Sequence, residues 1–251
     1  MHHHYIDRFA YGRSPIHALD PRAKVLAVLA YSIALISLPR HTLPSPWFVV
    51  FPAVLLVWGG IPLRFVAKHI LLVSPFVAFL VLFSPVFERQ PVVVGGRTIA
   101  AGWLTAASVL TRFVLSMAAL LGLAGTTPFP QLLKGLQQLG VPRILVTQLR
   151  FLYRYLFVLV DQAMHLRQAR AARDAGRGPL HARWAAGGAM IGVLFVRTLE
   201  SAERIHMAMI ARGYNGTIRL ARPLTWRIHD TAFLLLSLAY SAALVWLAPV
   251  R

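Results

Sequence analysis

The stretch GWLTAASVLTRFVLSMAALLGLA, residues 102–124, contains a single ionisable side chain, that of Arg112. A membrane-spanning α-helix needs about 20 consecutive, mostly apolar residues to cross a hydrocarbon core of about 30 Å. The stretch therefore predicts a transmembrane helix. An ionisable residue inside such a helix usually faces protein or reaches toward the interface, so Arg112 is assigned either to helix packing or to function.

Four further apolar runs predict four further spans, at residues 23–38, 47–59, 70–87 and 231–250. The second run is short for a span and reaches sufficient length only with the apolar residues on either side of it. Pro52 inside it is compatible with a membrane helix when neighbouring groups satisfy the freed carbonyl. Together the five runs predict an all-α integral membrane protein with about five transmembrane helices.

Composition excludes an ordinary water-soluble protein. Of the 251 residues, 57% are hydrophobic and only 14% are charged, and the mean hydropathy is +0.62. A globule of this composition would have too few polar side chains to cover its surface in water. The absence of cysteine excludes disulfides, thiol catalysis and zinc sites with sulfur ligands. The polar segment before the first apolar run argues against a cleavable signal peptide.

Basic residues are concentrated in one part of the chain, and their position predicts the orientation in the membrane. The net charge is +18, and 15 of the 26 lysines and arginines lie between residues 126 and 229, beside four acidic residues. Cytoplasmic loops of membrane proteins carry an excess of Lys and Arg. We therefore expect a multi-pass protein of the inner (plasma) membrane, with this segment and the N-terminus in the cytoplasm and the C-terminus outside.

Four regions follow from these expectations. They are a cytoplasmic N-terminal segment at 1–22, four transmembrane helices within 23–125, a cytoplasmic helical module at 126–229 and the last transmembrane helix at 230–251. The module is too long for a linker, and its apolar residues have helical periodicity. It is therefore expected to be a domain inserted before the last span.

Capping and turn residues predict the first helices of this module. Residues 126–128, Thr-Thr-Pro, are predicted to cap a helix that begins at Pro128, and Gly140 and Pro142 to separate it from the next helix. From Pro142 onward, leucines at spacings of three and four predict a long amphipathic helix that continues to Ala175. Several arginines in its last turns place a dense positive charge at its end.

A second long helix is predicted after a break, rich in Gly and Pro, at residues 174–179. It includes the apolar stretch 187–196, which at ten residues is short for a span. We interpret this stretch as buried against other helices or lying in the membrane interface. The helix is expected to end at Gly213, in the left-handed conformation that glycine adopts after a helix.

Both long helices end in an Ala-Arg step. The two sequences are Ala172–Arg173–Asp174 and Ala211–Arg212–Gly213. Each places a guanidinium group at the exposed tip of a rigid element, where it can form a bidentate contact with a carboxylate of another protein. The alternative is that an arginine in a last helical turn only complements the helix dipole. The repetition of the motif favours docking to a partner with two-fold symmetry.

Three segments resemble the transmembrane T component of energy-coupling factor transporters. They are Leu-Asp-Pro-Arg-Ala-Lys at 19–24, residues 161–174 with the first Ala-Arg step, and residues 203–216 with the second. Residues 154–156, Arg-Tyr-Leu, together with 6–8 and 14–15, are more similar to the cobalt and nickel branch called CbiQ than to the vitamin branch. The resemblance extends over nearly the whole chain.

The resemblance implies a subunit without catalytic activity or cofactor of its own. Such a subunit joins two ABC-type ATPases, CbiO-like, to a CbiM-like substrate-binding membrane subunit and a small accessory membrane protein within the lipid bilayer. The ATPases hydrolyse ATP, and their movements reach the membrane through the coupling helices. The expected activity is uptake of cobalt or nickel, with cobalt serving cobalamin biosynthesis.

In the resembled family the coupling helices end at the Ala-Arg motifs. This implies ATPase-coupling roles for Ala172, Arg173, Asp174, Ala211, Arg212 and Gly213. The sequence departs from the family at Asp174, where Gly is usual, which weakens the first tip or lets Asp174 pair with Arg170 or Arg177. Cytoplasmic support is expected from Asp20, Arg22, Lys24 and Arg170. For the first three of these, the alternative is a helix N-cap followed by interfacial anchoring.

Other functions have weaker support. The histidines at 2–4 lack carboxylates and fixed geometry, so no metal site is predicted. Aromatic residues among the arginines of 150–177 are expected to pack that helix instead of binding nucleic acid. Paired acids within the spans and a phosphate-binding Gly-Lys loop are both lacking, so no enzyme is predicted. A stand-alone carrier or channel is the alternative, although the broken-helix pairs and internal repeat of carriers are missing.

Overall fold

The computed structural model describes residues 9–12, 14–39, 42–87, 91–94, 97–173, 179–216 and 224–247. Within these ranges the chain forms eight α-helices, namely α1 Pro21–Ile36, α2 Val50–Trp58, α3 Leu63–Phe87, α4 Ala101–Thr126, α5 Phe129–Gln138, α6 Arg143–Arg173, α7 Leu180–Ala211 and α8 Ile228–Leu247. A short 3-10 helix, Pro46–Val49, leads directly into α2. The predicted all-α class of membrane protein is confirmed.

An antiparallel hairpin between α3 and α4 was not predicted. Its strands are β1 Pro91–Val94 and β2 Arg97–Ala100, with Val94 paired to Arg97. The sequence signal was present, since a run of three valines is followed by Gly-Gly, the kind of pair that favours a two-residue hairpin turn. A search for long apolar runs passes over such short elements.

The chain divides into two compact units. The first comprises Met1–Leu139 with Leu224–Arg251, and the second comprises Gly140–Pro223. α6 and α7 belong to the second unit, and the other elements belong to the first. The module predicted at 126–229 is wider than the second unit, because it also includes α5 and the segment before α8. Its placement in the cytoplasm stays a prediction.

In the first unit, α1 packs against α8, α4 and α5. The ring of Tyr31 is buried and stacks on Phe51 with 4.8 Å between the ring centroids, and its hydroxyl donates to the Phe48 carbonyl at 2.6 Å. Ala27 and Ala119 are also fully buried. Small side chains let helix backbones approach closely. The van der Waals contacts that result help to hold helices together in lipid.

Four helical segments are long and apolar enough to cross a membrane by length and composition. They are Leu63–Ser84 in α3, Ala101–Thr126, Leu180–Ala211 and Ile228–Leu247. α1 has 16 residues, and Pro46–Trp58 is also shorter than a usual span. A multi-pass membrane protein is confirmed, whereas the number of five spans stays a prediction. α3 begins at Leu63, earlier than the apolar run predicted from residue 70. Arg64 and Lys68 lower the hydropathy of the first turns, but they do not interrupt the helical hydrogen bonds.

The structure of α7 does not support burial of its apolar stretch, residues 187–196, against other helices of the second unit. α7 is one continuous helix of 32 residues, and none of them is buried against other parts of this chain. Within the second unit, the stretch 187–196 is therefore not buried against α6. Contact with the membrane interface stays a prediction, and α7 as a whole, unlike the ten-residue stretch alone, is long and apolar enough to span a membrane.

Candidate functional site

The C-terminal end of α7 has a defined geometry. Arg212 follows the last helical residue, and Gly213 adopts a left-handed φ of +79°. The N–H of Gly213 donates to the Ile210 carbonyl at 2.9 Å, and the N–H of Tyr214 donates to the Met209 carbonyl at 3.0 Å. These two bonds form a Schellman motif, which ends a helix and determines the chain reversal. The left-handed Gly213 is confirmed, and Arg212 is exposed at the reversal.

The C-terminal end of α6 carries the first Ala-Arg step. Ala172 and Arg173 are the last two residues of the helix, and both are exposed. Asp174, the third residue of the motif, lies outside the described residues, as does its predicted pairing. One turn earlier, Arg170 donates from Nη2 to the Arg183 carbonyl at 3.3 Å. That contact joins the end of α6 to the beginning of α7.

The two tips lie at opposite ends of α7. The α6 tip is beside the first turns of α7 through the contact of Arg170 with Arg183, whereas Ala211 and Arg212 are at the other end. With 32 residues and a rise of 1.5 Å per residue, α7 is about 48 Å long. The structure therefore keeps Arg173 and Arg212 far apart instead of combining them in one site.

Apolar side chains are exposed between the tips. Trp184 is 80% exposed, Met207 66% and Phe195 62%. Monomeric proteins in water rarely expose so many large apolar groups on one element, and such surfaces usually contact lipid or another protein. The second unit is therefore suited to contacts along its length as well as at its ends.

Asp20 and Arg22 belong to a buried polar cluster in the first unit. Asp20 is the N-cap of α1, where its Oδ1 accepts from the Arg22 N–H at 2.9 Å. Its Oδ2 pairs with Nη2 of Arg22 at 2.9 Å, and its own N–H donates to Oδ1 of Asp230 at 2.7 Å. Asp20 is only 4% exposed. The N-cap interpretation of Asp20 is confirmed, and each of its polar groups has a partner.

Lys24 extends this cluster to α4. The residue is 1% exposed, and its Nζ donates to the Thr126 carbonyl at 2.9 Å and to the Thr127 hydroxyl at 3.0 Å. Thr126 is the last residue of α4, where helix carbonyls lack partners within the helix and the dipole favours a positive charge. Lys24 therefore ties the beginning of α1 to the end of α4.

A helix begins within one residue of the predicted start at Pro128, but the cap predicted for Thr126 and Thr127 is wrong. α4 continues to Thr126, α5 begins at Phe129, and the proline at the N-cap position forms no side-chain hydrogen bond. The Thr126 hydroxyl donates within α4, and Thr127 accepts from Lys24 instead. Local spacing could not reveal this, because the ammonium group that binds these residues comes from 102 residues earlier in the chain.

The polar cluster also contacts the segments that precede and follow the second unit. α5, just before that unit, lies so close to α1 that a Cβ at Gly135 would be 3.2 Å from Cβ of Pro21. After the unit, the ring of Trp226 lies 5.1 Å from the guanidinium carbon of Arg22, a cation–π distance. Both segments belong to the predicted module, and both are therefore held against the beginning of α1.

Asp230 is a site residue that the sequence reasoning missed. It is 2% exposed, and its Oδ2 accepts from the Arg227 N–H at 2.7 Å while its Oδ1 accepts from Asp20. An acidic residue three positions after the N-cap that binds the N-cap N–H is half of a capping box. The spacing of Arg227 and Asp230 at the start of the last apolar run was therefore an available signal.

Arg112 anchors the connection between α1 and α2. Its Nη1 donates to the Leu38 carbonyl at 3.1 Å, and its Nη2 donates to the carbonyls of Pro39 at 2.6 Å and Thr42 at 3.4 Å. Backbone carbonyls beyond a helix end have no partner in the helix and need a donor inside a membrane. Of its two interpretations, packing is the one that these contacts support.

Among the residues that the structure describes, no group of three or more His, Asp or Glu side chains could hold a metal ion. The histidines at 2–4 lie outside those residues. The second unit instead has exposed arginines at its helix ends, and the first unit has a buried cluster of paired charges. These features define a class of protein, a multi-pass helical membrane subunit suited to docking other proteins.

Comparison with known proteins narrows this class. Residues 12–223 match the family described as CbiQ, cobalt transport protein. The chain is 31% identical to the energy-coupling factor transporter transmembrane protein EcfT of Lacticaseibacillus paracasei, over 84% of this chain and 85% of that protein. It is 27% identical to EcfT of Listeria innocua, over 96% and 97%. Identity to the cobalt transport protein CbiQ of Salmonella typhimurium is 28%, over 65% and 72%.

The chain belongs to the CbiQ family and is a CbiQ-like transmembrane T component of an energy-coupling factor transporter. The resemblance inferred from three sequence segments is thereby confirmed. The matched region begins before α1 and ends with the second unit, so it includes both Ala-Arg tips and most of the polar cluster.

Proposed function

We propose that this subunit transmits the movements of two ABC-type ATPases, through the tips at Arg173 and Arg212, to a substrate-binding membrane subunit that takes up cobalt or nickel. The ATPases, CbiO-like, hydrolyse the ATP, and the substrate-binding subunit, CbiM-like, selects the ion. The family match supports the transporter, and its description as a cobalt transport protein supports the ion.

The observation that carries this proposal is the geometry of the α7 tip. Two backbone hydrogen bonds and the left-handed Gly213 hold the reversal in one conformation. Because the backbone beneath Arg212 is ordered in advance, its guanidinium loses less conformational entropy on docking than one on a loose loop. A guanidinium in this position matches a carboxylate in a groove of another protein through two parallel hydrogen bonds.

The separation of the tips supports two docking events. A helix about 48 Å long between them exceeds what one small groove can contact, so each tip would enter a different ATPase. When ATP draws the two ATPases together, each tip would move with its own groove. The helices of the second unit would then move relative to each other, because their two tips are held by ATPases that approach each other.

The polar cluster would receive this movement in the first unit. Force on the second unit can pass along the chain at its two ends. Both ends continue into segments that pack on the beginning of α1, at Gly135 and at Trp226. The buried bonds of Asp20 and Lys24 would make these segments respond as one body. Arg170 has the same supporting role within the second unit, where it joins α6 to α7.

Reconstituted uptake tests the proposal. Vesicles are prepared with this chain and the substrate-binding subunit in the membrane and the ATPases on its inner side. They should accumulate radioactive cobalt or nickel only when ATP is present inside the vesicle. Changing both Arg173 and Arg212 to Ala should abolish uptake. Arg204→Ala, which removes an exposed arginine of α7, should leave uptake unchanged. Uptake without the ATPases would contradict the proposal and support a stand-alone carrier.

The orientation is also part of the proposal, with the N-terminus and residues 126–229 in the cytoplasm. Since the chain has no cysteine, single cysteines report accessibility without background. A membrane-impermeant maleimide should label Leu43→Cys in intact cells, and should label Thr225→Cys only after the membrane is opened. The reverse pattern would contradict the proposed orientation.

A further inference from the structure

A groove of about 610 Å³ runs along the first unit between the segment before α1, α2 and α8. Its walls are mainly apolar, with Ile16, Phe51, Leu55, Phe233 and Leu236 among the lining residues. The coupling role described above uses none of these side chains. The groove therefore has no role in coupling, and its length and charge indicate what kind of molecule it binds.

The charged groups lie at one end of the groove. Arg227 and His229, at the N-terminal end of α8, line it and are exposed. Asp230 also lines it, but both of its carboxylate oxygens accept backbone N–H groups, from Asp20 and from Arg227. Asp20 itself is paired with Arg22. The exposed charge at the mouth of the groove is therefore the positive charge of Arg227.

The length of the groove matches one leaflet of a bilayer. It extends along α8 from His229 to Tyr240, which at 1.5 Å per residue is about 17 Å. Half of a hydrocarbon core of about 30 Å is about 15 Å. At the far end, the Tyr240 hydroxyl donates to the Trp47 carbonyl and closes the space between α8 and the segment before α2.

An extended acyl chain has the length and the apolar character that this groove requires, because it lies along a membrane helix over one leaflet while its headgroup stays at the charged end. A helix of another subunit is the alternative occupant, and the cross-linking experiment below distinguishes the two.

We propose that this groove binds one acyl chain of an anionic phospholipid, whose phosphate pairs with the guanidinium of Arg227. Arginine binds phosphate through two parallel hydrogen bonds, and basic residues near a membrane surface attract anionic lipids. The site does not depend on the ATPases, so it can be tested separately from the coupling role.

The test is native mass spectrometry of the full-length chain after reconstitution into vesicles of phosphatidylglycerol and phosphatidylcholine in equal amounts. Wild type should retain phosphatidylglycerol in preference to phosphatidylcholine. Arg227→Gln should lower the retained phosphatidylglycerol about tenfold, the size expected when a charge-assisted contact is lost. The backbone bond from residue 227 to Asp230 survives that change, so the helix end should stay folded.

Two further variants sharpen the result. Arg64→Gln removes the same charge from an exposed position at the beginning of α3, and should leave lipid retention unchanged. Val54→Trp fills the groove from α2 and should lower retention of both lipids. Equal retention of the two lipids by wild type, or equal retention by wild type and Arg227→Gln, would overturn the proposal.

The occupant can also be identified in the assembled transporter. A photo-reactive amino acid in place of Leu236, which lines the groove and is 73% exposed, should cross-link to phospholipid. Cross-linking to another protein subunit instead would overturn the lipid assignment and make the groove a protein-docking surface.

Discussion

Lys24 is a charged side chain held almost entirely out of solvent by two acceptors, the Thr126 carbonyl and the Thr127 hydroxyl. Lys24→Met keeps the unbranched shape but removes both hydrogen bonds. A buried group left without a partner costs about 1 to 3 kcal/mol. We expect a clear fall in the thermal unfolding midpoint of the detergent-solubilised protein.

Lys68→Met is the matched control, because Lys68 is an exposed lysine of α3. It should leave the midpoint within error of the wild type. If Lys24→Met unfolds at the same temperature as Lys68→Met, the hydrogen bonds of Lys24 contribute nothing measurable to stability, and the cluster does not tie α1 to α4.

At the level of single residues, the sequence predicted the capping role of Asp20 but not its buried partner. The Leu-Asp-Pro-Arg step is a local signal, since Asp caps a helix whose first turn contains Pro. The bond from Asp20 to Asp230 joins residues 210 positions apart. No local pattern identifies such a pair, because it depends on how α8 packs beside α1.

At the level of helices, Arg112 provides a test of the packing role. It bonds three carbonyls between α1 and α2. Arg112→Met should lower the unfolding midpoint, by an amount equivalent to about 1 to 3 kcal/mol, and leave ATPase binding unchanged. Arg64→Met, at an exposed position, is the control. Normal stability with loss of transport would assign Arg112 to coupling instead.

The end of α7 gives a second test at this level. Gly213→Ala adds a Cβ that meets no atom within 4 Å, so only the left-handed backbone is strained. That strain costs about 1 to 2 kcal/mol for residues other than glycine. We expect ATPase affinity to fall about 5- to 30-fold in a titration with purified ATPase.

Gly213→Asn is the informative comparison, because asparagine tolerates the left-handed conformation better than alanine. Its affinity for ATPase should lie between those of wild type and Gly213→Ala. If Gly213→Ala binds as tightly as wild type, the defined reversal at Arg212 is not needed for docking.

Hydropathy located most of the helices, because an apolar run is a local property that survives any tertiary arrangement. It did not locate the beginning of α3 or the hairpin of β1 and β2. A hydropathy window cannot see hydrogen bonding that continues through Arg64 and Lys68, and the strands are only four residues each. The Schellman end of α7 was predictable, since Gly213 after a helical pattern is a specific local signal.

At the level of the whole molecule, the sequence predicted the class and the family correctly, but not the boundaries of the two units. The hydrophobic composition identifies the chain as a membrane protein. The three segments at 19–24, 161–174 and 203–216 together identify the CbiQ family. The division into units was harder to predict, because α5 is polar enough to look like part of the module and yet packs on α1. Which residues lie in the cytoplasm depends on a bilayer and on partners.

The central claim is that Arg173 and Arg212 are the two points at which this subunit binds ATPases. It is tested most directly by capture of the purified ATPases on the detergent-solubilised chain, with Arg173→Ala, Arg212→Ala, the double variant and Arg204→Ala as the control. The account predicts strong capture by wild type and the control, weaker capture by each single variant and none by the double variant. Capture by the double variant equal to that of wild type would contradict it.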